Sequence, residues 1–485
     1  MSNLLINAVD SEECRIAKVM GGQLEEFHIE NTGRQITHGN IFKATITRVE
    51  PSLQAAFVDY GGPKHGFLQK HEIHSDYYLE DLGDNRSIKD LVKRGQELLV
   101  QITKDPENNK GAMLTTFISL PGRYMVLMPG SENRGVSRKI EDEEERLRLK
   151  NIANNLKVPD GYGLIIRTAG KGCAKTVILK DFRYLIRLWK SIKGNVMNVQ
   201  APTVLYQERN LVERSLRDYF TSDITEILID DETVYRQAKQ FMQIISPKHG
   251  RIVKHYKGTK PIFTKHDLES QIATIYENRV PLKSGGSIVI DPTEALVSID
   301  VNSGKATSAG SIEKTAYQTN LEAAEEIARQ LRLRDLGGLI VLDFIDMKDE
   351  KHKRQVEQNM KKHLKMDKAK SNVGRISRFG LLEMSRQRLR PSIRFGSYES
   401  CRYCHGKGSV ASVETLGLKF LRELSLKALK SNLTGVRGIV PREVANYLLN
   451  KKRKEIVDLE NRRNIEVTIE ASDRMIPGES DIVRT

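Results

Sequence analysis

The sequence predicts a multi-domain α/β protein that carries a small β-barrel near its N-terminus. Its 485 residues exceed what one hydrophobic core serves, at about 150 residues per domain. Five short strand-like runs crowd into residues 38–117, and a strand–helix–strand pattern fills residues 285–347. The balance of 39% hydrophobic and 29% charged residues describes folded domains rather than a disordered chain. Lys and Arg number 78 against 63 Asp and Glu, a formal charge of +15 that points to a polyanionic partner, most commonly nucleic acid. No apolar run approaches the roughly 20 residues that span a bilayer. The opening residues lack both a basic flank and a cleavable apolar stretch, so no secretory signal is expected. Four Cys exclude a disulfide framework and point to a reducing, cytoplasmic compartment.

The first segment reads as three strands, Leu4–Val9, Arg15–Met20 and Gln23–Ile29, with turn chemistry at Asp10-Ser11 and Gly21-Gly22. Three strands without a covering helix cannot bury both faces, so they are expected to join a sheet completed elsewhere. Strand-like runs follow at Ile41–Val49, Gln54–Tyr60, Gly66–Leu68, Glu97–Ile102 and Gly111–Phe117, the order of an OB-type barrel. Phe57 and Phe67 fall on neighbouring strands, with Lys104 and Lys110 near the rim, and aromatics there stack bases at about 1–3 kcal/mol each. Either Phe taken alone favours a place in the barrel core.

Residues 120–207 mix strand (Tyr124–Met128, Gly163–Arg167) with an amphipathic helix over Glu141–Leu156. Residues 210–276 alternate helix (Val212–Phe220, Glu232–Ile244) and strand (Glu226–Ile229), and are the natural partner of the N-terminal strands. The barrel and the block after it would then be insertions into one discontinuous domain.

Ser287–Ile290 and Ala295–Asn302 read as strands, and Leu321, Ala324, Ala328 and Leu331 set a helical period across Thr319–Asp335. Gly337-Gly338 ends that helix, and Leu339–Leu342 reads as a buried strand. Asp300 and Asp343 close the two apolar strands, with Asn302 and Asp346 just beyond. An acid at the end of an apolar strand is costly unless hydrogen-bonded or bound to a cation. Two on neighbouring strands converge at the carboxyl edge of an α/β sheet, where ligand sites lie. Carboxylates plus an amide, with no His cluster, suit Mg²⁺ or Mn²⁺, which activates water and neutralises charge on a phosphate. An offset of three puts Asp343 and Asp346 on opposite faces of a straight strand, so Asp343 is the candidate ligand.

Residues 348–394 hold 15 Lys or Arg against 5 Asp or Glu, a local +10 read here as a nucleic-acid backbone surface. Cys401-Arg-Tyr-Cys404, with Gly406 and Gly408 behind it, reads as a zinc knuckle supplying two of four tetrahedral ligands; the alternatives are an empty turn or a redox dithiol, the latter disfavoured because no strand–CxxC–helix context is evident. Cys14 and Cys173 are isolated, so the economical completion is the same knuckle from a second chain.

Six segments together resemble the ribonuclease E/G family: Ala55–Gly61, Ile166–Gly170, Ser298–Gly304, Ala328–Arg334, Val341–Met347 and Arg378–Met384. The resemblance covers essentially the whole chain. It implies a single-strand-specific endoribonuclease that leaves a 5′-phosphate and a 3′-hydroxyl, acting in rRNA processing and mRNA turnover. Its substrates would be rRNA precursors and mRNA, A/U-rich and preferably 5′-monophosphorylated, with Mg²⁺-activated water as nucleophile. In the family the first Asp of each acidic motif binds Mg²⁺, here Asp300 and Asp343, with Asn302 supporting. Gly122 and Val126 would line a 5′-phosphate pocket in which Arg167 and Thr168 hold the phosphate. Phe57, Phe67 and Lys110 would clamp RNA, and Arg378 would join the RNA-binding surface. Cys401 and Cys404 would share a structural Zn²⁺ between chains in a homodimer, with a tetramer as a dimer of dimers the further possibility.

The implied fold is an RNase H-like domain (1–35 plus 210–276, discontinuous) interrupted by an OB-fold barrel (36–117) and a 5′-sensor (118–209). A DNase I-like catalytic domain (277–397), a zinc link (398–412) and a small α/β dimerisation domain (413–485) follow. The short form of the family ends soon after that last domain, as this chain does at Thr485; the long form adds a disordered tail. The rival reading is a non-catalytic RNA-binding or ribosome assembly factor, which would have no use for the Asp300/Asp343 pair.

Overall fold

The computed structural model describes residues 2–31, 37–79, 87–106, 110–156, 158–221, 223–304, 312–390, 392–393, 398–399, 401–429 and 434–484. They divide into two compact units, 1–393 and 394–485.

In the first unit, Ser2–Asn7 pairs antiparallel with Glu13–Met20, which pairs with Gln23–Asn31. On its other edge Ser2–Asn7 pairs in parallel with Ile224–Ile229, itself parallel to Val253–His255, so the sheet has five strands drawn from two distant segments. The unbroken apolar run Leu4-Leu5-Ile6 explains why both faces must be covered. Leu4 and Ile6 pack with Leu216, Phe241 and Met242 from helices Leu211–Tyr219 and Glu232–Ile245, while Leu5 faces a separate cluster around Phe27 and Phe263.

Strands Ile41–Glu50, Ala55–Asp59, Gly66–Gln69, Met113–Thr115 and Glu97–Lys104 pair in that order, and the last closes back on the first. Ala44, Ile46, Val58, Leu68, Val100 and Leu114 fill the barrel, and helix Ile88–Leu91 plugs it with two side chains. Beyond the barrel, a four-stranded sheet (Leu120–Pro121, Met125–Pro129, Tyr162–Ile166, Arg134–Val136) is covered by helices Glu143–Asn154 and Lys175–Val196. The longer helix is absent from the sequence reading, although Ile178, Phe182, Leu185, Trp189 and Ile192 spell a 4-3-4-3 buried stripe.

The six-stranded sheet of residues 279–386 runs in the order Arg279–Pro281, Ser287–Pro292, Leu296–Asn302, Gly338–Asp343, Leu381–Arg386, Ser371–Ile376. Only its central pair is parallel, joined by helix Ile312–Leu333, which begins seven residues before the expected Thr319. That helix and Glu350–Leu364 cover one face of the sheet. The other face stays open: Leu339 is 50% exposed, so Gly338–Asp343 is buried on one side only, not on both as its apolar run suggests.

In the second unit, Gly435–Pro441 pairs in parallel with Glu466–Ser472 and antiparallel with Asp481–Arg484. Helices Val413–Lys427, Arg442–Lys451 and Arg453–Arg463 complete a small α/β layer around Phe420, Leu424 and Leu448. Among the described residues no helix is long and apolar enough to cross a membrane.

Candidate active site and nucleic-acid interface

The crossover through Ile312–Leu333 brings two strands side by side in a register that pairs Asp300 with Asp343. Residues in register on neighbouring strands project from the same face. Val297, Ile299, Val301, Ile340 and Leu342 point into the core, so both carboxylates stand on the open face and are exposed. The expected cost of burying an acid therefore does not arise; what remains is like-charge proximity. The Asp343 carboxyl is pushed above its usual range by partial desolvation and by repulsion from Asp300 and Asp346. Asn302 Nδ2 donates to Asp300 Oδ2 at 2.7 Å and orients it.

The strand stops at Asp343, so the alternation that separated Asp346 from it ends there, and Asp346 is close enough to act on its charge. Two groups hold this turn. Asn320, fully buried on the inner face of its helix, donates to the Ile345 carbonyl (2.8 Å) and accepts from the Ile345 N–H (3.1 Å). Glu313 accepts the N–H groups of Lys348 (3.0 Å) and Asp349 (3.3 Å) and lies 2.8 Å from His352 Nδ1. Gly380, at φ +80°, lies against the turn: a Cβ there would come within 3.2 Å of Asp346 Oδ1. Arg378 and Lys353 line a small cavity with Asp346. Sequence reading missed Asn320 and Glu313. The signal for Asn320 was a polar residue on the buried helical stripe, which must find hydrogen-bond partners.

The basic stretch divides in two. Arg386 is buried, bonded to both oxygens of Asp367 (2.6 and 3.0 Å) and to the Leu336 carbonyl. Arg388 donates to the Gly337 carbonyl, and Arg390 lies 2.7 Å from His28 Nδ1 and over the Tyr219 ring. Arg386 and Arg390 brace the fold, and Arg388 is exposed but tied to a backbone carbonyl, which corrects the reading of the whole +10 as a phosphate surface. Arg375 and Arg378 remain exposed.

On the barrel, register partners form a row across five strands: Arg48, Phe57, Phe67, Met113, Lys104. The two Phe rings meet edge-on at 5.8 Å, and the Arg48 guanidinium sits 4.5 Å from the Phe57 centroid. Neither Phe belongs to the barrel core; both are half-buried, with Lys104 and Lys110 exposed. Aromatic faces flanked by cations are what single-stranded nucleic acid requires.

Arg167 follows strand Tyr162–Ile166 and is held from two sides, by the Gly122 carbonyl (Nη1, 2.7 Å) and Asp218 (Nη2, 2.7 Å). Burial disfavours the charged Asp218, but Arg217 and Arg167 overcome it and hold its carboxyl below the usual range. Thr168 is exposed beside Arg167, and Val126 lies between Pro121 and Ile165, so the four predicted residues do come together. Asp181, on the helix missing from the sequence reading, accepts the N–H groups of Arg123, Tyr124 and Met125 and shapes this loop. A Cβ on Gly122 would meet its carboxylate at 2.6 Å.

In the second unit, Cys401 is exposed and Cys404 half-buried on a turn closed by His405 N–H to the Cys401 carbonyl (2.8 Å). N–H groups of Cys404 and Tyr403 lower the Cys401 thiol, favouring the thiolate that zinc binds. The turn precedes helix Val413–Lys427 by several residues, so the pair is not at a helix N-terminus. Among the described residues no group of three or more His, Cys, Asp or Glu could hold a metal by itself.

A barrel with a cation-flanked aromatic row, joined to a sheet bearing paired carboxylates, has the surface of a nucleic-acid-binding protein. Family models agree: residues 35–117 match the S1 RNA binding domain, 119–389 the Ribonuclease E/G family and 400–485 its thioredoxin-like domain. The chain is 47% identical to ribonuclease E of Haemophilus influenzae over 478 residues, 98% of this chain and 51% of that protein. Against Escherichia coli proteins it is 46% identical to ribonuclease E (98% and 45% covered) and 41% identical to ribonuclease G (87% of each). The chain belongs to the ribonuclease E/G family. It spans about half the length of the ribonuclease E relatives.

Proposed function

We propose that the chain is a metal-dependent endoribonuclease of the cytoplasm that cuts single-stranded RNA in rRNA processing and mRNA turnover. The observation that carries this reading is the in-register pairing of Asp300 and Asp343 on an open sheet face. Two mutually repelling carboxylates and an amide form a hard-oxygen set, and Mg²⁺ is commonly held by one or two carboxylates, with waters and substrate phosphates completing its shell. Bound there, Mg²⁺ or Mn²⁺ would lower the pKa of a water and neutralise charge on the phosphate. Asn302 orients Asp300, Asn320 and Glu313 hold the turn after Asp343, and Arg378 offers a cation beside it. Phe57 and Phe67 stack bases while Lys104 and Lys110 meet the backbone. Arg167, fixed by Gly122 and Asp218, retains donors for a 5′-phosphate, with the Thr168 hydroxyl beside it.

The two-segment sheet and the carboxylate-bearing sheet are read as RNase H-like and DNase I-like domains. Cys401 and Cys404 supply half of a Zn²⁺ site that a second chain completes, making a homodimer. The test is incubation with 5′-monophosphorylated, A/U-rich single-stranded RNA and Mg²⁺. Cleavage abolished by EDTA and reduced at least about 100-fold by Asp343→Asn is expected. Absence of cleavage, or cleavage unchanged by Asp300→Asn, refutes it.

A further inference from the structure

We propose that a basic cleft beside the aromatic row is a phosphate track that lengthens the barrel's contact with single-stranded RNA. It rests on the RNA-binding reading of that row and adds a surface the row does not contain. The cleft, of about 540 Å³, is lined by Thr47, Arg48, Val49, Lys89, Val92, Lys93 and Arg94. Four of its seven residues are cations and none is an acid. Among the described residues none of the four cations takes part in an ion pair, whereas Lys43 on the same barrel is neutralised by Glu97 at 2.8 Å. Lys89, Lys93 and Arg94 are exposed, and Val92 is 1% exposed, giving an apolar floor beneath a cationic rim. Like charges gathered on this shallow, open surface raise a positive potential that an anion relieves.

The partner follows from continuity. Arg48 belongs at once to the cleft and to the row, because its guanidinium lies over the Phe57 ring while its residue lines the cleft wall. Thr47, also in that wall, is the bulged residue between the paired Ile46 and Arg48, and its hydroxyl donates to the Phe57 carbonyl at 3.0 Å. A strand with bases on Phe57 and Phe67 that continues past Arg48 enters this cleft backbone-first. An anion of any other kind would lack the stacking anchor at its mouth.

The test uses the full chain carrying Asp343→Asn, so that RNA stays intact, and 5′-fluorescein single-stranded RNAs of two lengths, about 6 and about 20 nucleotides. Lys89→Gln/Lys93→Gln/Arg94→Gln should weaken the longer RNA about tenfold or more near 0.1 M salt. It should also flatten the slope of log affinity against log salt by about 2, at about 0.7 per lost contact. The shorter RNA, long enough for the aromatic row alone, should bind as before. Unchanged affinity and slope for the longer RNA, with Phe57→Ala weakening both lengths, would overturn the cleft and leave the row standing. Binding indifferent to Phe57→Ala as well as to the triple substitution would overturn both.

Discussion

Replacing Asn320 by Leu removes the clamp on the turn that carries Asp343 into Asp346. The side chain is fully buried and satisfies both the N–H and the carbonyl of Ile345, so its loss strips two backbone groups at once. Each unsatisfied buried group costs about 1–3 kcal/mol, and Ile345 is only half-buried, so about 2–3 kcal/mol in total is expected. Urea unfolding reads that loss. The consequence for chemistry is separate: a carboxylate on a loosened turn holds its ion less well, and supporting residues of this kind typically change metal affinity by about 10-fold or more. The Mg²⁺ concentration for half-maximal cleavage should rise by that factor while RNA affinity stays constant. Asn320→Asp keeps the acceptor for the Ile345 N–H but sets an oxygen against the Ile345 carbonyl, and should show the same Mg²⁺ shift. A normal Mg²⁺ titration in both variants, with folding intact, would refute the clamp.

Three further outcomes are expected. Arg167→Ala should erase any preference for 5′-monophosphorylated over 5′-hydroxyl RNA while leaving entry at internal sites intact; a surviving preference in competition cleavage removes the sensor assignment. Cys404→Ser should lower zinc content and convert dimer to monomer in sedimentation, and a stable zinc-free dimer would show that the knuckle is not shared. His28 is 6% exposed, and burial and then Arg390 push its pKa down to about 3. It stays neutral in the fold but protonates when unfolded, near pH 6.5. Stability should therefore fall as pH drops from about 6.5 toward 3, by up to about 1.4 kcal/mol per pH unit. His28→Gln, which keeps an acceptor for Arg390, should flatten thermal melts across that window; an unchanged slope would show that His28 is not the titrating group.

The barrel was legible because its strands alternate over short, glycine-bounded runs, and periodicity of that kind reports local geometry directly. The paired acids were legible for a related reason: each closes an apolar run, and chemistry-bearing residues stand out against such a background. Helix Lys175–Val196 was missed although its stripe is regular, because it opens at Ala174 without a polar cap to mark its start. Asn320 was missed because a hydrogen bond to a backbone 25 residues away leaves no local trace. The cations of residues 348–394 illustrate the same limit from the other side. Arg386 and Arg378 look alike along the chain, yet one is buried on Asp367 and the other faces solvent.

Residue type and spacing alone determined that this protein has a small barrel with aromatic residues on neighbouring strands, two acids that close apolar strands, and a closely spaced cysteine pair. Tertiary structure decided which groups meet. Ser2–Asn7 finds its parallel partner more than 200 residues away, and one step of register between the two central strands would turn Asp300 and Asp343 to opposite faces. Pattern along a chain encodes which side of an element is buried; only packing between distant elements sets register, ion pairing and the sharing of a face, and the candidate site is made of those three.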